Sequence, residues 1–294
     1  MSNSDQYAMS RRGLLAGGAA LASTALASTA LLRATPVQAM AARKNVARAP
    51  GIQLYTVRDS MSEDLHATLV AIAAMGYRDV EFAGYFDRSP RELRQIMDDL
   101  GLRSPSSHVN AARMRDDPES VIEAAAELGN RFVTIGWLNE SDRTSISDYH
   151  RWADTLNRAG DVGRKSGVRA AYHNHEFEFE KLDAQLPYDV LIARTEPELV
   201  VFELDFFWVA KAGLDVADVL GANPSRFEMA HIKDMDADGN MVDVGSGGID
   251  FTRLLKGAWA ASLDYLFVEH DEPANALRTA AVGRQALSQI LSKL

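Results

Sequence analysis

The chain has 294 residues, 47% of them hydrophobic, which is enough for one large domain. Its net charge of −10 repels phosphate polymers at long range, and no run of Lys or Arg in its body offsets that, so nucleic acid is not an expected partner. It contains no cysteine, which excludes disulfides, thiolate zinc sites and a cysteine nucleophile.

The first element is a leader. Ser10-Arg11-Arg12-Gly13-Leu14-Leu15 is a twin-arginine pattern. A weakly apolar Ala/Leu/Gly stretch from Leu14 to Leu32 follows, then small residues ending in Ala39-Met40-Ala41. This predicts a Tat-type export signal over residues 1–41, cleaved near Ala41. The apolar stretch is about long enough to span a bilayer, but its Gly, Ser and Thr content suits a signal better than an anchor. The mature protein is therefore expected to be periplasmic or secreted, free of the membrane, and exported folded, a route that suits a chain carrying a cofactor. Residues 42–50 read as a polar linker.

From Gly51 onward, short apolar runs alternate with helical repeats. Strands are predicted at 51–55, 77–82, 102–109, 131–136, 168–173, 199–205, 227–233 and 265–269. Helices are predicted at 65–75, 90–100, 118–128, 147–166, 188–194, 216–220, 251–260 and 274–294. Pro90 and Pro118 open two of them, and Gly76, Gly101 and Gly129 stop three. Eight strand–helix units in about 240 residues is the count of an α/β protein of the (β/α)8 TIM barrel type. An open doubly wound sheet would carry a Gly-rich fingerprint after its first strand, and Tyr55-Thr56-Val57-Arg58 is not one. Residues 51–294 thus read as a single barrel.

The active site of such a barrel lies at the C-terminal ends of its strands, and polar residues gather there. Glu81 ends the second strand and His108 the third. His173 and His175, two residues apart on one side of Tyr172-His173-Asn174-His175-Glu176-Phe177, end the fifth. Asp205 ends the sixth, with Glu203 earlier on the same face, and His231 and Lys233 end the seventh. Glu269 ends the eighth. Five of the seven histidines fall at or just past strand ends, where random surface placement would scatter them. An imidazole and carboxylate set without thiolates suits one catalytic divalent cation: Mn²⁺, Co²⁺, Fe²⁺, Mg²⁺ or Zn²⁺. Such a cation polarises a sugar carbonyl and acidifies the adjacent C–H, and a carboxylate or imidazole then moves the proton. Structural roles compete for several of these residues. Glu81 also fits an ion pair, Glu203 a buried partner for Lys233, and Trp137 and Trp208 a rim or core position as readily as sugar stacking. The loop Val244-Gly245-Ser246-Gly247-Gly248 has the form of a phosphate cradle but lacks a basic side chain before Arg253.

Tyr172-His173-Asn174-His175-Glu176-Phe177-Glu178-Phe179, Glu203-Leu204-Asp205-Phe206-Phe207-Trp208-Val209, His231-Ile232-Lys233-Asp234 and the Gly245 to Asp250 loop resemble the sugar phosphate isomerase/epimerase family. So does the opening Gly51-Ile52-Gln53-Leu54-Tyr55-Thr56-Val57-Arg58. That family is part of the xylose-isomerase-like TIM barrel superfamily, and the resemblance covers about Gly51 to Leu294. It implies one metal held by Glu, Asp, His and Glu at the ends of strands five to eight. Asp205, His231 and Glu269 match the last three, while His173 stands where epimerases carry Glu. Two metal-bound glutamates form the epimerase's acid/base pair, so losing one shifts the expectation toward the inosose dehydratase branch, with dehydration or β-elimination beside a keto group. In that scheme Glu269 or His175 removes the α-proton and His108 or Lys233 protonates the leaving oxygen. Tyr55, Glu81, Trp137 and Trp208 are the expected substrate contacts. The implied substrate is a non-phosphorylated keto sugar, keto glycoside or cyclitol. Family members are often dimers or tetramers, so a homo-oligomer is expected too. Two alternatives remain: a non-catalytic sugar-binding barrel, which predicts missing ligands, and an apurinic-endonuclease-like metal hydrolase, which the acidic charge and the export signal oppose.

Overall fold

Eight short runs, most of them rich in apolar and β-branched residues, close into a parallel barrel. They are β1 (Pro50–Gln53), β2 (Asp79–Ala83), β3 (Arg103–Val109), β4 (Phe132–Ile135), β5 (Arg169–His173), β6 (Val200–Asp205), β7 (Phe227–Ile232) and β10 (Tyr265–Val268). They pair in sequence order, and β10 returns to β1. A small antiparallel hairpin, β8 (Asp234–Met235) with β9 (Met241–Val242), rises from the end of β7. This computed structural model describes residues 49–294; the expected export signal, residues 1–41, lies outside the described residues. Among the described residues no helix is long and apolar enough to cross a membrane.

The helices are α1 (Arg58–Glu63), α2 (Leu65–Ala74), α3 (Pro90–Leu100), α4 (Ala111–Asp116), α5 (Pro118–Leu128), α6 (Ile146–Gly163), α7 (Pro187–Arg194), α8 (Phe206–Lys211), α9 (Val216–Ala222), α10 (Phe251–Lys256) and α11 (Ala276–Leu291). Local chemistry sets their ends. Ser89 and Glu92 form a capping box at the start of α3, Pro90 supplies its first turn, and Gly101 closes it at a left-handed φ of 65°.

Several boundaries differ from the sequence expectation for physical reasons. β1 already includes Pro50, so the linker ends earlier. The Gln53 side chain accepts from Tyr55 N and starts a 3-10 turn at Leu54–Val57, which takes Tyr55 out of the strand. The helix expected at 251–260 stops at Lys256, because Gly257 is extended with ψ 150°, and a 3-10 turn covers Ala258–Ser262. The sequence reading did not anticipate α1, α4, α8 or the β8–β9 hairpin.

The N-terminal end of the barrel interior is plugged by Phe132, Ala171, Val201, Met229 and Phe267, all buried, with Tyr265 packed against them. Each large side chain here contributes about 1.5–3 kcal/mol of burial. Strand alternation places Thr134, His173, Glu203, His231 and Glu269 two residues further along the same strands, on the same inward face. The apolar plug is thus the floor on which the polar residues stand.

Candidate active site

Above those residues a cavity of about 970 Å³ opens at the C-terminal ends of the strands. Tyr55, His108, Trp137, His173, His175, Trp208, Lys233 and Glu269 line it. Asp205, His231 and Glu203 lie directly beneath, fully buried. The expected set therefore converges on one end of the barrel, with one exception. Glu81, expected as a substrate contact, is fully buried below the cavity and does not line it.

Asp205, His231 and Glu269 present ligand atoms within 4.8 Å of one another at the cavity floor, and His173 stands beside Asp205. His173 Nε2 lies 3.8 Å from Asp205 Oδ2, His231 Nδ1 lies 3.9 Å from the same oxygen, and His231 Nδ1 lies 2.7 Å from Glu269 Oε2. Asp205 Oδ2, His231 Nδ1 and Glu269 Oε2 are buried atoms without a hydrogen-bond partner. The pair at 2.7 Å is close in distance but not aligned as a hydrogen bond, as happens when two lone pairs point at a third position. Spacings of about 3–4 Å suit donors that share an ion at bond lengths of about 2.0–2.2 Å. Imidazole nitrogens and carboxylate oxygens without thiolate fit a borderline divalent cation. Burial and the neighbouring His231 push the His173 pKa down to about 3, so its imidazole is neutral, as a ligand must be.

Lys233 stands against this cluster. Its Nζ lies 3.1 Å from Asp205 Oδ2, 2.9 Å from Glu269 Oε2 and 2.7 Å from Asp271 Oδ1. Burial alone would neutralise Glu269, but Lys233 and His231 outweigh it and hold this carboxyl well below its usual range. The sequence reading missed Asp271, which sits two residues past Glu269 in a loop that period-two counting does not orient.

Glu203 is not the partner of Lys233 that its spacing suggested. It lies a layer lower, where its Oε2 is 2.7 Å from His108 Nε2, 3.2 Å from His231 Nε2 and 3.6 Å from His173 Nδ1. Glu81 Oε2 accepts from Gln53 Nε2 at 2.8 Å and lies 2.6 Å from His231 Nε2. Carboxylates thus stand behind the histidines of the cluster, an arrangement that fixes ring orientation and tautomer in metal sites. His108, His173, Glu203 and His231 also present donors within 4.8 Å of one another; in that layer His108 Nε2 lies 2.7 Å from Glu203 and His231 Nε2 lies 2.6 Å from Glu81, while His173 Nδ1 has no hydrogen-bond partner. Burial opposes a charge on His108, yet Glu81 and Glu203 outweigh it and raise its pKa above the imidazole norm.

The fifth-strand loop carries His175 up the wall. Glu178 accepts from Tyr172 Oη at 2.5 Å and from His175 N at 2.7 Å, which pins the turn after β5. The His175 ring stacks on Phe177 with centroids 5.5 Å apart, and Trp137 meets both edge-on at 4.7 and 5.4 Å. Burial and His173 hold His175 neutral. The glycine-rich loop after β9 already carries an internal anion. Gly245 N and Gly247 N donate to Asp234 Oδ2, both at 2.9 Å, and Ile249 N donates to Oδ1 at 3.2 Å. Those amides are spent on Asp234 and do not form a phosphate cradle.

Comparison with known proteins agrees with this architecture. A family model described as xylose isomerase-like TIM barrel matches residues 69–283. An inosose dehydratase from Lacticaseibacillus casei is 24% identical over 181 residues, covering 54% of this chain and 60% of that relative's length. A sugar phosphate isomerase/epimerase structure from Parabacteroides distasonis superposes with a TM-score of 0.72 at 23% identity, covering 83% of this chain and 98% of that one. The zinc-bound IOLI protein superposes with a TM-score of 0.65 at 17% identity, again covering 83% of this chain and 98% of that one.

Proposed function

Because this chain belongs to the xylose isomerase-like TIM barrel family, we propose that it is a divalent-metal-dependent enzyme that removes a proton beside the carbonyl of a neutral keto sugar, keto glycoside or cyclitol and expels a β-oxygen. The observation that carries this reading is the convergence of Asp205, His231 and Glu269 on one floor position, each with a buried atom that lacks a hydrogen-bond partner, with His173 Nε2 beside Asp205. Those four residues would hold the ion, and the ion would supply Lewis-acid polarisation of the substrate carbonyl. The zinc of the IOLI protein and the dehydratase relative are consistent with that chemistry.

The chain's own residues divide the proton work. Glu269 is held ionised by Lys233 and His231 and borders the cavity, so it is the base that takes the α-proton. His108 also borders the cavity, and Glu81 and Glu203 raise its pKa against the effect of burial, which suits it to be the acid that donates to the departing oxygen. Lys233 places a positive charge where negative charge develops on the substrate. His173 replaces the second carboxylate that a proton-in, proton-out epimerisation across the sugar plane would use, which favours elimination. Five carboxylates against Arg143, Lys233 and His108 line the cavity, and the Gly245–Gly247 amides are taken by Asp234. Both features favour an uncharged substrate over a sugar phosphate. The Arg11-Arg12 leader motif supports export to the periplasm.

The test incubates metal-loaded protein in D₂O with 3-keto glycosides, keto sugars and inososes, followed by NMR. We expect deuterium next to the carbonyl and release of water or of an aglycone, both abolished by EDTA and restored by Mn²⁺ or Zn²⁺. Exchange with the carbon skeleton intact would mean isomerase or epimerase chemistry. No exchange with any compound would overturn the enzyme reading.

A further inference from the structure

The cavity is larger than the chemistry at its floor requires. Its roughly 970 Å³ sits at the top of the about 300–1,000 Å³ range in which pockets enclose drug-sized ligands, and a single pyranose over His173 and Glu269 fills only part of it. The remainder is bounded differently. The floor is ionic, whereas the wall above it is aromatic, built from Trp137, Phe177 and Trp208 around His175. Two ring contacts, His173–His175 at 5.0 Å and His175–Trp137 at 4.7 Å, lead from the floor to the mouth.

Trp137 is the telling residue. It is 50% exposed, an unusual state for an indole whose edge is already packed. Its orientation is nonetheless fixed. His175 and Phe177 hold it at interplanar angles of 88° and 90°. Arg143 lies 3.6 Å from the Phe177 centroid and 5.6 Å from that of Trp137, with its Nε donating to Leu138 O. Gly136, just before it, carries no side chain where a Cβ would strike the His108 ring, so the backbone bearing Trp137 runs close beside that histidine. An immobilised, half-exposed indole on the wall of a saccharide-sized cavity is a stacking platform, since large rigid rings give contact area at low entropic cost.

We infer that the mouth half of this cavity is a second-ring subsite, built on Trp137 with Phe177 and Arg143, so that the substrate is a two-ring keto glycoside whose reacting ring sits on the floor and whose second, uncharged ring stacks on Trp137. This rests on the proposed reaction for the position of the reacting ring. It goes further by naming the substrate as a glycoside, in which the β-oxygen expelled is the glycosidic one. Glu269 takes the proton from carbon 2 of the 3-keto ring, the electron pair forms the C1–C2 double bond, and the C1–O bond breaks. The leaving oxygen receives a proton from His108 and departs as the alcohol of the second ring. The products are an unsaturated keto sugar and that alcohol, with no oxidant or reductant consumed.

The test separates the subsite from the reaction. Binding of methyl β-glucoside, cellobiose and phenyl β-glucoside to metal-free full-length protein is read by calorimetry, with wild type, Trp137→Ala and Trp137→Phe. The two-ring compounds are expected to bind at least about tenfold more tightly than the methyl glycoside, which is about 1.4 kcal/mol. That preference should collapse in Trp137→Ala and be largely kept in Trp137→Phe, which preserves a stacking face. A preference for cellobiose identifies a sugar as the second ring, and one for the phenyl glycoside alone an aromatic aglycone. Equal binding of one- and two-ring compounds to wild type, or a preference that survives Trp137→Ala, overturns the subsite. With keto substrates the same variants give the second axis. D₂O exchange with no ring preference means the reaction stands and the subsite fails. A binding preference without exchange on any keto compound means the reverse.

Discussion

Two adjacent layers of the same barrel interior are built on opposite terms. The lower layer, Phe132, Ala171, Val201, Met229 and Phe267, is wholly apolar. The upper layer begins two residues further along the strands and is itself staggered, with Glu203, Glu81 and His108 at its base and His173, Asp205, His231, Lys233 and Glu269 above them, nearly all buried. The lower layer gains from the removal of carbon from water. The upper layer costs desolvation of every charge in it, recovered only because each charge faces another of opposite sign. Stability and chemistry therefore come from residues that share strands and an inward face and differ by one step of the strand repeat. A barrel can change its reaction by altering the upper step while the lower one still closes it.

Substitutions in the two layers should separate the two properties. Glu269→Gln is expected to have the largest effect: proton exchange into a keto substrate, followed by NMR, falls by about 10²- to 10⁴-fold. Its urea midpoint in metal-free protein moves little, because Lys233 keeps Asp205 and Asp271. Phe132→Ala should do the reverse. Phe132 is fully buried in the apolar plug and meets Tyr265 edge-on at 6.1 Å. Its truncation should cost about 3–5 kcal/mol in urea unfolding, with exchange per folded molecule unchanged. If Phe132→Ala loses activity in step with Glu269→Gln at a concentration where it is folded, the layers are not separable. Glu81→Gln sits between the two in kind. It leaves the cavity wall intact but removes the charged partner 2.6 Å from His231 Nε2, and should weaken Zn²⁺ or Mn²⁺ binding by about 10- to 100-fold in calorimetry. Unchanged affinity would mean that His231 needs no carboxylate behind it.

The layered pattern explains what the sequence could and could not show. Period-two counting along each strand put His173, His231 and Glu269 on the inward face, because alternation is a property of one strand alone. Stagger between strands is not. Asp205 pairs level with His231 and Glu203 level with Met229, after a register shift at Phe202 and Glu203. Glu203 therefore lies below Lys233, out of reach, and faces His108 from β3. The same lack of stagger made Glu81 look like a cavity residue. Helix α8 escaped because its six residues, Phe206–Lys211, are too few to show a helical repeat. Asp205 ends the strand by capping Trp208 N at 3.1 Å, and so is both a helix cap and a site residue. The aromatic wall was visible only in part: Trp137 and Trp208 stood near strand ends, but Phe177 and Arg143 come together through loops whose paths no periodicity encodes.

Glu178 sharpens the contrast by offering a buried carboxylate without the upper layer's compensation. Glu269 has Lys233 at 2.9 Å, while Glu178 has the hydroxyl of Tyr172 and the amide of His175 as hydrogen-bond partners and no ion pair, the charge of Arg143 acting on it only weakly. Its pKa is accordingly pushed up to about 8 by burial, against the two hydrogen bonds. In the unfolded chain a glutamate releases its proton near about 4.3. Between that value and about 8 the folded state thus retains a proton that the unfolded state has lost, and stability must fall as pH rises through this window. The slope contributed by one group cannot exceed about 1.4 kcal/mol per pH unit. Unfolding of metal-free protein in urea at intervals from pH 5 to 8 should therefore show wild type losing stability faster than Glu178→Gln, whose side chain does not titrate. His108 and the other titrating groups are common to both chains, so the difference curve isolates this carboxyl. Parallel curves would mean that Glu178 ionises normally in the folded protein, and that a buried carboxylate in this barrel does not need the cations of the upper layer to hold its charge.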